Sequence, residues 1–466
     1  MPNMKKAAWL ICLLIYFSSV HAQPVKERLR NAVNGLLADV QMKQAILGIS
    51  VLKANNAEVV YEMNAQTGLA PASCQKIITS ASAMELLGPD FRYQTILGYQ
   101  GSIQDGLLKG SIQLIGSGDP TLGSWRYEST KEEKLLQQLV KDIKQEGITK
   151  IEGDLMGFTG KWDNQLIPGG WIWDDIGNYY GAGSSALNWR ENQYDLFLQS
   201  GTMVGDKVNI VGTNPKLYGI TLTSQLISAH KGSGDKAYIY LPPTSQTGFV
   251  RGTIPVEESA FTISGSFPDP SFQLLATINE RLSNENLKPA RFSVITDKEL
   301  PIIKTLSVIL SPKLDSINYW FMKKSINLYG EALLKTLAYE KTGMGTTEKG
   351  VEVVKKFWKE QGIESAALHI IDGSGLSPQN RVTTDALVKI LTYARSRSWF
   401  SFYYDALPVF NQMKLKSGTI GGAKSFAGYH TAKDGTAYTV AIIINNYDGS
   451  ANEIVKKIFL VLDELK

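Results

Sequence analysis

The sequence predicts an α/β fold of the α+β kind, in which helices flank an antiparallel sheet and a large, mostly β-stranded insertion interrupts the chain. Helical apolar spacing dominates both ends of the chain, whereas short alternating runs between glycine-rich turns fill the part from about residue 90 to 295. The segment 413–446 has the alternation and turns of a final antiparallel unit. Because 466 residues exceed what one hydrophobic core supports, we expect two or three domains.

The N-terminal part is predicted to form a helix, a β-hairpin and a second helix. Apolar residues recur with helical spacing over 24–45, and residues 46–54 and 57–64 alternate as the strands of a hairpin do. The second helix begins near Ser73 and ends at Gly88-Pro89.

The middle part, 91–294, is interpreted as an insertion that splits a larger catalytic domain. One clear helix, near 130–145, interrupts its short strands. Five of the nine tryptophans fall in this part, and packing in a core or between domains is favoured over a ligand platform for Trp125, Trp162, Trp171, Trp173 and Trp189.

Helices return after about residue 295 and precede the last strands. Their apolar spacing covers 314–322, 327–340, 346–361 and 384–395. A last helix follows Ser450, and its apolar face carries Ile454, Ile458, Val461 and Leu465. Packing of that face on the sheet is favoured over membrane attachment.

The first 22 residues have the pattern of a cleaved secretory signal. Two lysines precede an apolar core over 7–17, and Val20-His21-Ala22 is a small-residue cleavage site. The apolar run is too short to span a bilayer comfortably, although a retained N-terminal anchor is the alternative. We therefore predict a secreted, periplasmic protein with no integral membrane span after cleavage of residues 1–22.

Composition argues against several function classes. Cleavage would lower the formal net charge from +4 to +2, because Lys5 and Lys6 would leave, and so small a charge gives no case for nucleic-acid binding. The mature chain would keep one cysteine, Cys74, and therefore no intrachain disulfide. No metal or other cofactor is predicted, since metal-site spacing is absent from the remaining histidines, His230, His369 and His430.

The motif Ser-x-x-Lys occurs four times, and its position selects one copy. Residues 50–53 lie in an alternating strand, whose side chains three apart face opposite sides, and the copies at 228–231 and 233–236 flank glycine turns. The copy from Ser73 to Lys76 opens an apolar helix, where positions i and i+3 share a face. We predict Ser73 as nucleophile and Lys76 as its base, with an ordinary helix N-cap as the alternative.

A lysine acts as a base only while it is neutral. The usual lysine pKa of about 10.4 would have to fall by roughly 3 units, which corresponds to about 4 kcal/mol. Burial and a second cation can lower the pKa of Lys76, and Lys416 is the natural candidate for that cation.

The motif Ser-Ile-Asn occurs twice. The copy at 316–318 lies inside an apolar helical stretch, whereas Ser325-Ile326-Asn327 directly precedes a new helix and so belongs on a turn. There Ser325 could pass a proton to the leaving amine, and Asn327 could hold the substrate backbone. A simple helix cap is the alternative.

The segment Lys416-Ser417-Gly418-Thr419 begins a predicted strand. Gly418 lacks a side chain where a substrate would approach the backbone. Lys416 and the hydroxyls of Ser417 and Thr419 can bind a terminal carboxylate, and the N–H groups of Thr419 and Ser73 could form an oxyanion hole. A plain exposed strand is the alternative.

With these three motifs in order, the chain resembles the D-alanyl-D-alanine carboxypeptidase/endopeptidase family of low-molecular-mass penicillin-binding proteins, of the penicillin-binding protein 4 type (peptidase family S13). The long separation of Ser73 and Ser325 fits the class with a large insertion, and compact serine β-lactamases have no room for it. Further similar segments are Pro71-Ala72-Ser73, Gly118-Asp119-Pro120-Thr121-Leu122, Asp372-Gly373-Ser374-Gly375-Leu376-Ser377 and Ala427-Gly428-Tyr429.

The resemblance implies a transpeptidase/β-lactamase-like domain built from residues 23–90 and 295–466, with two nested smaller domains in 91–294. It also implies hydrolysis of D-Ala-D-Ala termini or D-Ala cross-links of peptidoglycan stem peptides through an acyl-Ser73 intermediate, with Ser325 passing the proton. β-Lactam antibiotics would then be covalent inhibitors, and no cofactor would be needed.

The resemblance further implies that Asp175 and Tyr180 approach the diamino-acid side chain of the substrate; a helix cap and a core aromatic are the alternative. Three positions depart from the family pattern. Ile326 stands where aspartate is usual, Ser417 replaces threonine, and Pro378 stands where many members have a basic residue. Two other functions stay open: a β-lactam or D-amino-peptide hydrolase on the same scaffold, and a weakly active peptidoglycan-binding protein.

Overall fold

The computed structural model describes residues 23–466 except 298 and 300. The predicted signal at residues 1–22 lies outside that part of the chain. The described residues form helices and sheets that are antiparallel or, in the middle of the chain, partly parallel, and the predicted α/β fold class is confirmed. No helix in this part has the length and apolar character that crossing a membrane requires.

Twenty strands and eleven α-helices make up the described part. The strands are β1 Ile46–Lys53, β2 Val59–Met63, β3 Gln94–Gln104, β4 Leu107–Ile115, β5 Lys150–Ile151, β6 Leu155–Phe158, β7 Gln193–Gln199, β8 Asn209–Asn214, β9 Thr221–Ala229, β10 Lys236–Tyr240, β11 Thr247–Pro255, β12 Phe261–Ser266, β13 Phe292–Ile295, β14 Lys304–Leu310, β15 Leu368–His369, β16 Arg381–Val382, β17 Val409–Phe410, β18 Met413–Ile420, β19 Ala423–Thr431 and β20 Ala437–Asn445. The helices are α1 Val25–Leu37, α2 Lys76–Leu86, α3 Glu132–Gln145, α4 Trp173–Ile176, α5 Pro270–Asn284, α6 Leu314–Lys323, α7 Asn327–Thr342, α8 Thr347–Glu360, α9 Thr384–Arg395, α10 Phe400–Ala406 and α11 Ala451–Asp463.

Both ends of the chain form one six-stranded antiparallel sheet, in the order β17-β18-β19-β20-β1-β2. Strand β1 pairs with β20, so that Ile49 lies opposite Ile442. Helices α1 and α11 cover one face, and α2, α7 and α9 lie on the other. Because both faces are covered, β1 and β20 are almost continuously apolar rather than alternating. The apolar face of α11 packs on this sheet, and Ile454, Ile458, Val461 and Leu465 are buried there.

The middle of the chain has its own hydrophobic core, drawn from residues 97–309. It surrounds a sheet in the order β13-β6-β4-β3-β14 and two three-stranded sheets. Strand β14 pairs with β3, so the segment up to Leu310 lies in the inserted sheet, beyond the boundary at 295 that the sequence suggested. The domain boundaries stay a prediction.

Helix α5 is a second long helix in the insertion, which the sequence analysis missed. Its start looks like a turn because it carries Asp269-Pro270. In the structure Asp269 accepts a hydrogen bond from the Phe272 N–H, and Pro270 occupies the first turn, where a missing N–H costs little.

The insertion is fastened to the helices of the catalytic part by buried polar and aromatic contacts. Lys335 of α7 is fully buried and donates to Asp163 Oδ1 at 2.8 Å and to the carbonyl of Gln165 at 2.6 Å. Trp162 packs against Gly345, where an added Cβ would come within 2.1 Å of the indole ring. These contacts hold the insertion beside the middle and the C-terminal end of α7, the helix that begins at Asn327.

Candidate active site

The three motifs lie around one cleft of about 560 Å³. The short 3₁₀ turn Ala72–Gln75 carries Ser73, the loop between α6 and α7 carries Ser325, and α7 begins at Asn327. Ser73, Ser325, Asn327 and Thr419 line the cleft, whereas Lys416 is buried behind its wall.

The nucleophile lies on a tighter turn than the sequence suggested. Helix α2 begins at Lys76 rather than near Ser73, because residues 72–75 form a 3₁₀ turn after Ala72, whose φ is 46°. In a 3₁₀ turn the side chains at i and i+3 eclipse each other. Lys76 Nζ therefore lies 2.9 Å from Ser73 Oγ, while Ser73 stays partly exposed and Lys76 is fully buried.

The other two partners of Lys76 determine what its amine can do. Nζ lies 2.6 Å from Asn327 Oδ1 and 2.7 Å from the carbonyl oxygen of Ser374, and both oxygens can only accept hydrogen bonds. The Asn327 amide is oriented because its Nδ2 donates to the Tyr180 carbonyl at 2.7 Å. A neutral amine has two N–H groups and one lone pair. With both N–H groups donated to these carbonyls, the lone pair faces the hydroxyl of Ser73.

Burial lowers the pKa of Lys76 well below its usual value, and the nearby cation Lys416 lowers it further. The carboxyl groups of Asp372 and Glu331 oppose this shift without reversing it. Lys416 is itself buried, and its pKa falls to about 8 for the same desolvation reason. Burial of Lys76, more than its cationic neighbour, lowers its pKa and so favours the neutral amine.

Two buried acids hold the loop that places the Ser374 carbonyl on Lys76. Asp372 accepts hydrogen bonds from the Gly375 N–H at 2.7 Å and from Trp171 Nε1 of the insertion at 2.8 Å. Glu331 Oε2, one helical turn after Asn327, accepts from the Gly373 N–H at 2.9 Å. The sequence analysis noted the segment at 372–377 without a role for it, and it missed Glu331.

Gly418 has a packing role that its sequence motif does not indicate. An added Cβ would come within 2.5 Å of the Pro71 carbonyl and 2.8 Å of the Ser73 nitrogen. The missing side chain thus makes room for the turn that carries the nucleophile. Strand β18 can lie against that turn only because residue 418 is glycine.

We expect Gly418→Ala to lower the free energy of unfolding by about 1–3 kcal/mol and to slow acylation of Ser73, because the added methyl group pushes β18 away from the turn. Chemical denaturation and the rate of penicillin acylation measure the two effects. Gly169→Ala is the control, since its Cβ would meet no atom within 4 Å. Equal behaviour of the two variants would contradict this account of Gly418.

Behind the strand, Lys416 Nζ donates to the Ser417 carbonyl at 2.8 Å. The thiol of Cys74 is buried against the Lys416 carbonyl, 3.2 Å away, and burial raises its pKa. Cys74 is thus a packed residue with little thiolate character. Exposed Thr419 accepts a hydrogen bond at 2.7 Å from Lys424, a cation that the sequence analysis missed.

Ser325 adopts a left-handed backbone, with φ of 57°, and its hydroxyl has no hydrogen-bond partner among the described residues. It is therefore able to serve a group in the cleft. Ile326, where the family pattern has aspartate, is buried in the hydrophobic core of the helices as well as bordering the cleft.

The insertion supplies the opposite wall of the cleft. Helix α4 carries Asp175 and the following turn carries Tyr180, and both residues line the cleft. Burial raises the pKa of Asp175 to about 6, partly offset by a hydrogen bond from Tyr180. Arg126 and Lys324 also line the cleft. The sequence analysis missed both, because isolated basic residues without a motif give no signal.

No group of three or more His, Cys, Asp or Glu residues suited to a metal ion occurs in 23–297, at 299 or in 301–466. The chemistry that the described side chains can perform is proton transfer from Ser73 to Lys76 beside the cleft.

Comparison with known proteins adds to this geometry. A family model described as the D-Ala-D-Ala carboxypeptidase 3 (S13) family matches residues 29–464. A D-alanyl-D-alanine carboxypeptidase of Actinomadura sp. is 25% identical over 91% of this chain and 82% of its own length. The D-alanyl-D-alanine carboxypeptidase DacB of Haemophilus influenzae is 23% identical over 86% of this chain and 85% of its own.

The solved structure of penicillin-binding protein 4 from Haemophilus influenzae has the same fold. It superposes with a TM-score of 0.81 at 22% sequence identity, covering 94% of this chain and 99% of that one. A second structure of that protein, in complex with a β-lactam, gives a TM-score of 0.75 at 21% identity.

Proposed function

The chain belongs to the D-Ala-D-Ala carboxypeptidase 3 (S13) family, and we propose that it hydrolyses D-Ala-D-Ala termini or D-Ala cross-links of peptidoglycan stem peptides through an acyl-Ser73 intermediate. It is a serine peptidase. The observation that carries the proposal is the 2.9 Å contact of Ser73 Oγ with a buried lysine whose two N–H groups are donated elsewhere.

In the first step Ser73 Oγ attacks the carbonyl carbon of the penultimate D-alanine, and Lys76 Nζ takes the hydroxyl proton. The C–N bond then breaks and leaves an ester on Ser73. The departing amine needs a proton, and the free hydroxyl of Ser325 can relay one from the Lys76 ammonium group. Water completes the cycle by hydrolysing the ester, which frees the peptide carboxylate and restores the serine.

Lys416, which is buried behind the wall of the cleft, would assist catalysis and substrate binding through its charge. Its charge lowers the pKa of Lys76 and attracts a carboxylate to the cleft, where the hydroxyls of Ser417 and Thr419 and the backbone of Gly418 would receive it. Because Lys416 lies behind the cleft wall, we assign it an electrostatic role rather than direct contact.

Asp175 and Tyr180 would receive the diamino-acid side chain. The pKa of Asp175, about 6, means that the carboxylate loses its charge as the pH falls through 6. For a substrate whose side chain ends in an ammonium group, we expect KM to rise below pH 6, and to be constant above it. Steady-state D-alanine release between pH 5 and pH 8 would measure this.

In Asp175→Asn, KM should lose this dependence: it should exceed the wild-type KM above pH 6 and equal the wild-type KM well below pH 6. An otherwise identical substrate with an acetylated side-chain amine should show no dependence in the wild type. A flat KM for the free amine would contradict the role of Asp175.

The same reaction supports two statements about partners and location. β-Lactams would acylate Ser73 and act as covalent inhibitors; the structure of the Haemophilus protein in complex with a β-lactam supports binding of this class of compound. We also propose that the protein acts in the periplasm, where its stem-peptide substrate lies, after export by the segment 1–22.

D-alanine release from a stem-peptide mimic, together with labelling by a fluorescent penicillin, tests the function. We expect release and stable labelling in the wild type, and neither in Ser73→Ala. Rapid loss of the label with destruction of the drug would instead indicate a β-lactam hydrolase. Failure of both acylation and release in the wild type would leave the peptidoglycan-binding alternative.

A further inference from the structure

A guanidinium group that the reaction above does not use lines the same cleft as Ser73. It belongs to Arg126, whose side chain is 18% exposed. The cleft therefore contains a charged donor group in addition to the residues of the three motifs.

Arg126 is held in one orientation. Its Nε donates to Glu191 Oε1 at 2.8 Å, and its Cζ lies 5.4 Å and 5.3 Å from the ring centres of Trp125 and Trp320. Among the described residues, neither terminal nitrogen has an acceptor. The guanidinium is thus held through its faces and its Nε. Its two terminal nitrogens, which can bind a planar anion, are left available.

The residue that orients Arg126 is itself fixed. Glu191 is fully buried, and its Oε1 also accepts hydrogen bonds from Ser124 Oγ at 2.7 Å and from the Tyr329 hydroxyl at 2.8 Å. Tyr329 lies on α7, two residues after Asn327, so the arginine is positioned relative to the catalytic helix. Because the Arg126 side chain is already ordered, binding of an anion would not be weakened by the entropy cost of ordering it.

The charges around Arg126 allow an anion to bind. Glu191 offsets one positive charge, but it accepts its hydrogen bond from Nε and not from a terminal nitrogen. Lys324 adds a cation to the cleft lining, and Asp175 is the acid among the lining residues. A ligand with a carboxylate can therefore pair with Arg126 while a cationic group pairs with Asp175.

We propose that Arg126 forms an anion subsite that binds a carboxylate of the stem peptide other than the terminal one. This inference rests on the proposed function. Stem peptides offer two such groups, the free α-carboxylate of their γ-linked glutamate and the carboxylate on the diamino-acid side chain. Both have the planar shape that a guanidinium binds with two parallel hydrogen bonds.

The test compares D-alanine release from three peptides that end in D-Ala-D-Ala: one with both carboxylates, one amidated at the glutamate, and one amidated at the diamino acid. Loss of one or two charge-assisted hydrogen bonds corresponds to roughly a 10- to 100-fold fall in kcat/KM. We expect Arg126→Gln to show this loss with the full peptide, and one amidated peptide to show it with the wild-type enzyme. On that peptide Arg126→Gln should cause no further loss, which identifies the carboxylate.

Two controls separate the subsite from general effects. Lys324→Gln removes a cleft cation that no described side chain fixes. It should change kcat/KM by the same factor on all three peptides and so keep the wild-type discrimination between them. Arg126→Lys keeps the charge without the planar fork and is used if Arg126→Gln does not fold; it should lose part of the discrimination.

Equal losses of Arg126→Gln on all three peptides would overturn the subsite, as would a loss of the discrimination between peptides in Lys324→Gln as large as in Arg126→Gln. Neither result would overturn the proposed function, because D-alanine release by the wild-type enzyme tests that separately.

Discussion

Lys76→Met is expected to slow acylation of Ser73 by roughly 10²- to 10⁴-fold at pH 7, the usual contribution of a general base. Methionine fills most of the lysine volume but leaves Ser73 Oγ without a proton acceptor at 2.9 Å. The rate of benzylpenicillin acylation measures the effect, and a thermal melt verifies that the variant is folded.

The chain offers a matched control for this variant. Lys53 is the lysine of the Ser-x-x-Lys copy at residues 50–53. It lies at the end of β1, is partly exposed and forms an ion pair with Glu58. Lys53→Met should therefore acylate at the wild-type rate. If a folded Lys76→Met acylated within a few-fold of wild type, Lys76 would not be the base.

Asn327→Asp is expected to have the second-largest effect, a loss of about 10- to 10³-fold at neutral pH. The substitution puts a carboxylate in place of the amide oxygen that lies 2.6 Å from Lys76 Nζ. An anion so close raises a lysine pKa by about 1–3 units, and each unit lowers the neutral fraction tenfold. The variant should regain activity as the pH rises, over a range where the wild-type rate is nearly constant.

Asn452→Asp provides the same charge change in the first turn of another helix, α11, where the side chain is exposed. We expect its pH–rate profile to match that of the wild type. A profile of Asn327→Asp parallel to the wild-type profile would show that the hydrogen bond to Lys76 does not control the protonation of the base.

Much of the site could be predicted from the chain because local patterns encode it. Ser73 and Lys76 are three residues apart, and the position of this copy before an apolar helix separated it from the other copies. The turn that carries Ser325 could likewise be predicted, because its motif directly precedes the helix α7. What local patterns could not provide was the 3₁₀ geometry at residues 72–75, which depends on packing of the turn against Gly418, far along the chain.

The residues that sequence reasoning missed act through long-range contacts. Ser374 accepts from Lys76 across nearly 300 positions (298), and Arg126 is oriented by Glu191 and by the ring of Trp320. Nothing in the neighbourhood of Arg126 in the sequence indicates those partners. Helix α5 was also not predicted, and in the structure Asp269-Pro270 forms its start.

The central claim is that Ser73 becomes acylated with Lys76 as its base. Mass spectrometry of the protein after brief exposure to benzylpenicillin, followed by proteolysis, tests it most directly. We predict one added penicillin, located on the peptide that contains Ser73 and absent from Ser73→Ala. An adduct on another residue, or D-alanine release by Ser73→Ala at the wild-type rate, would contradict the account.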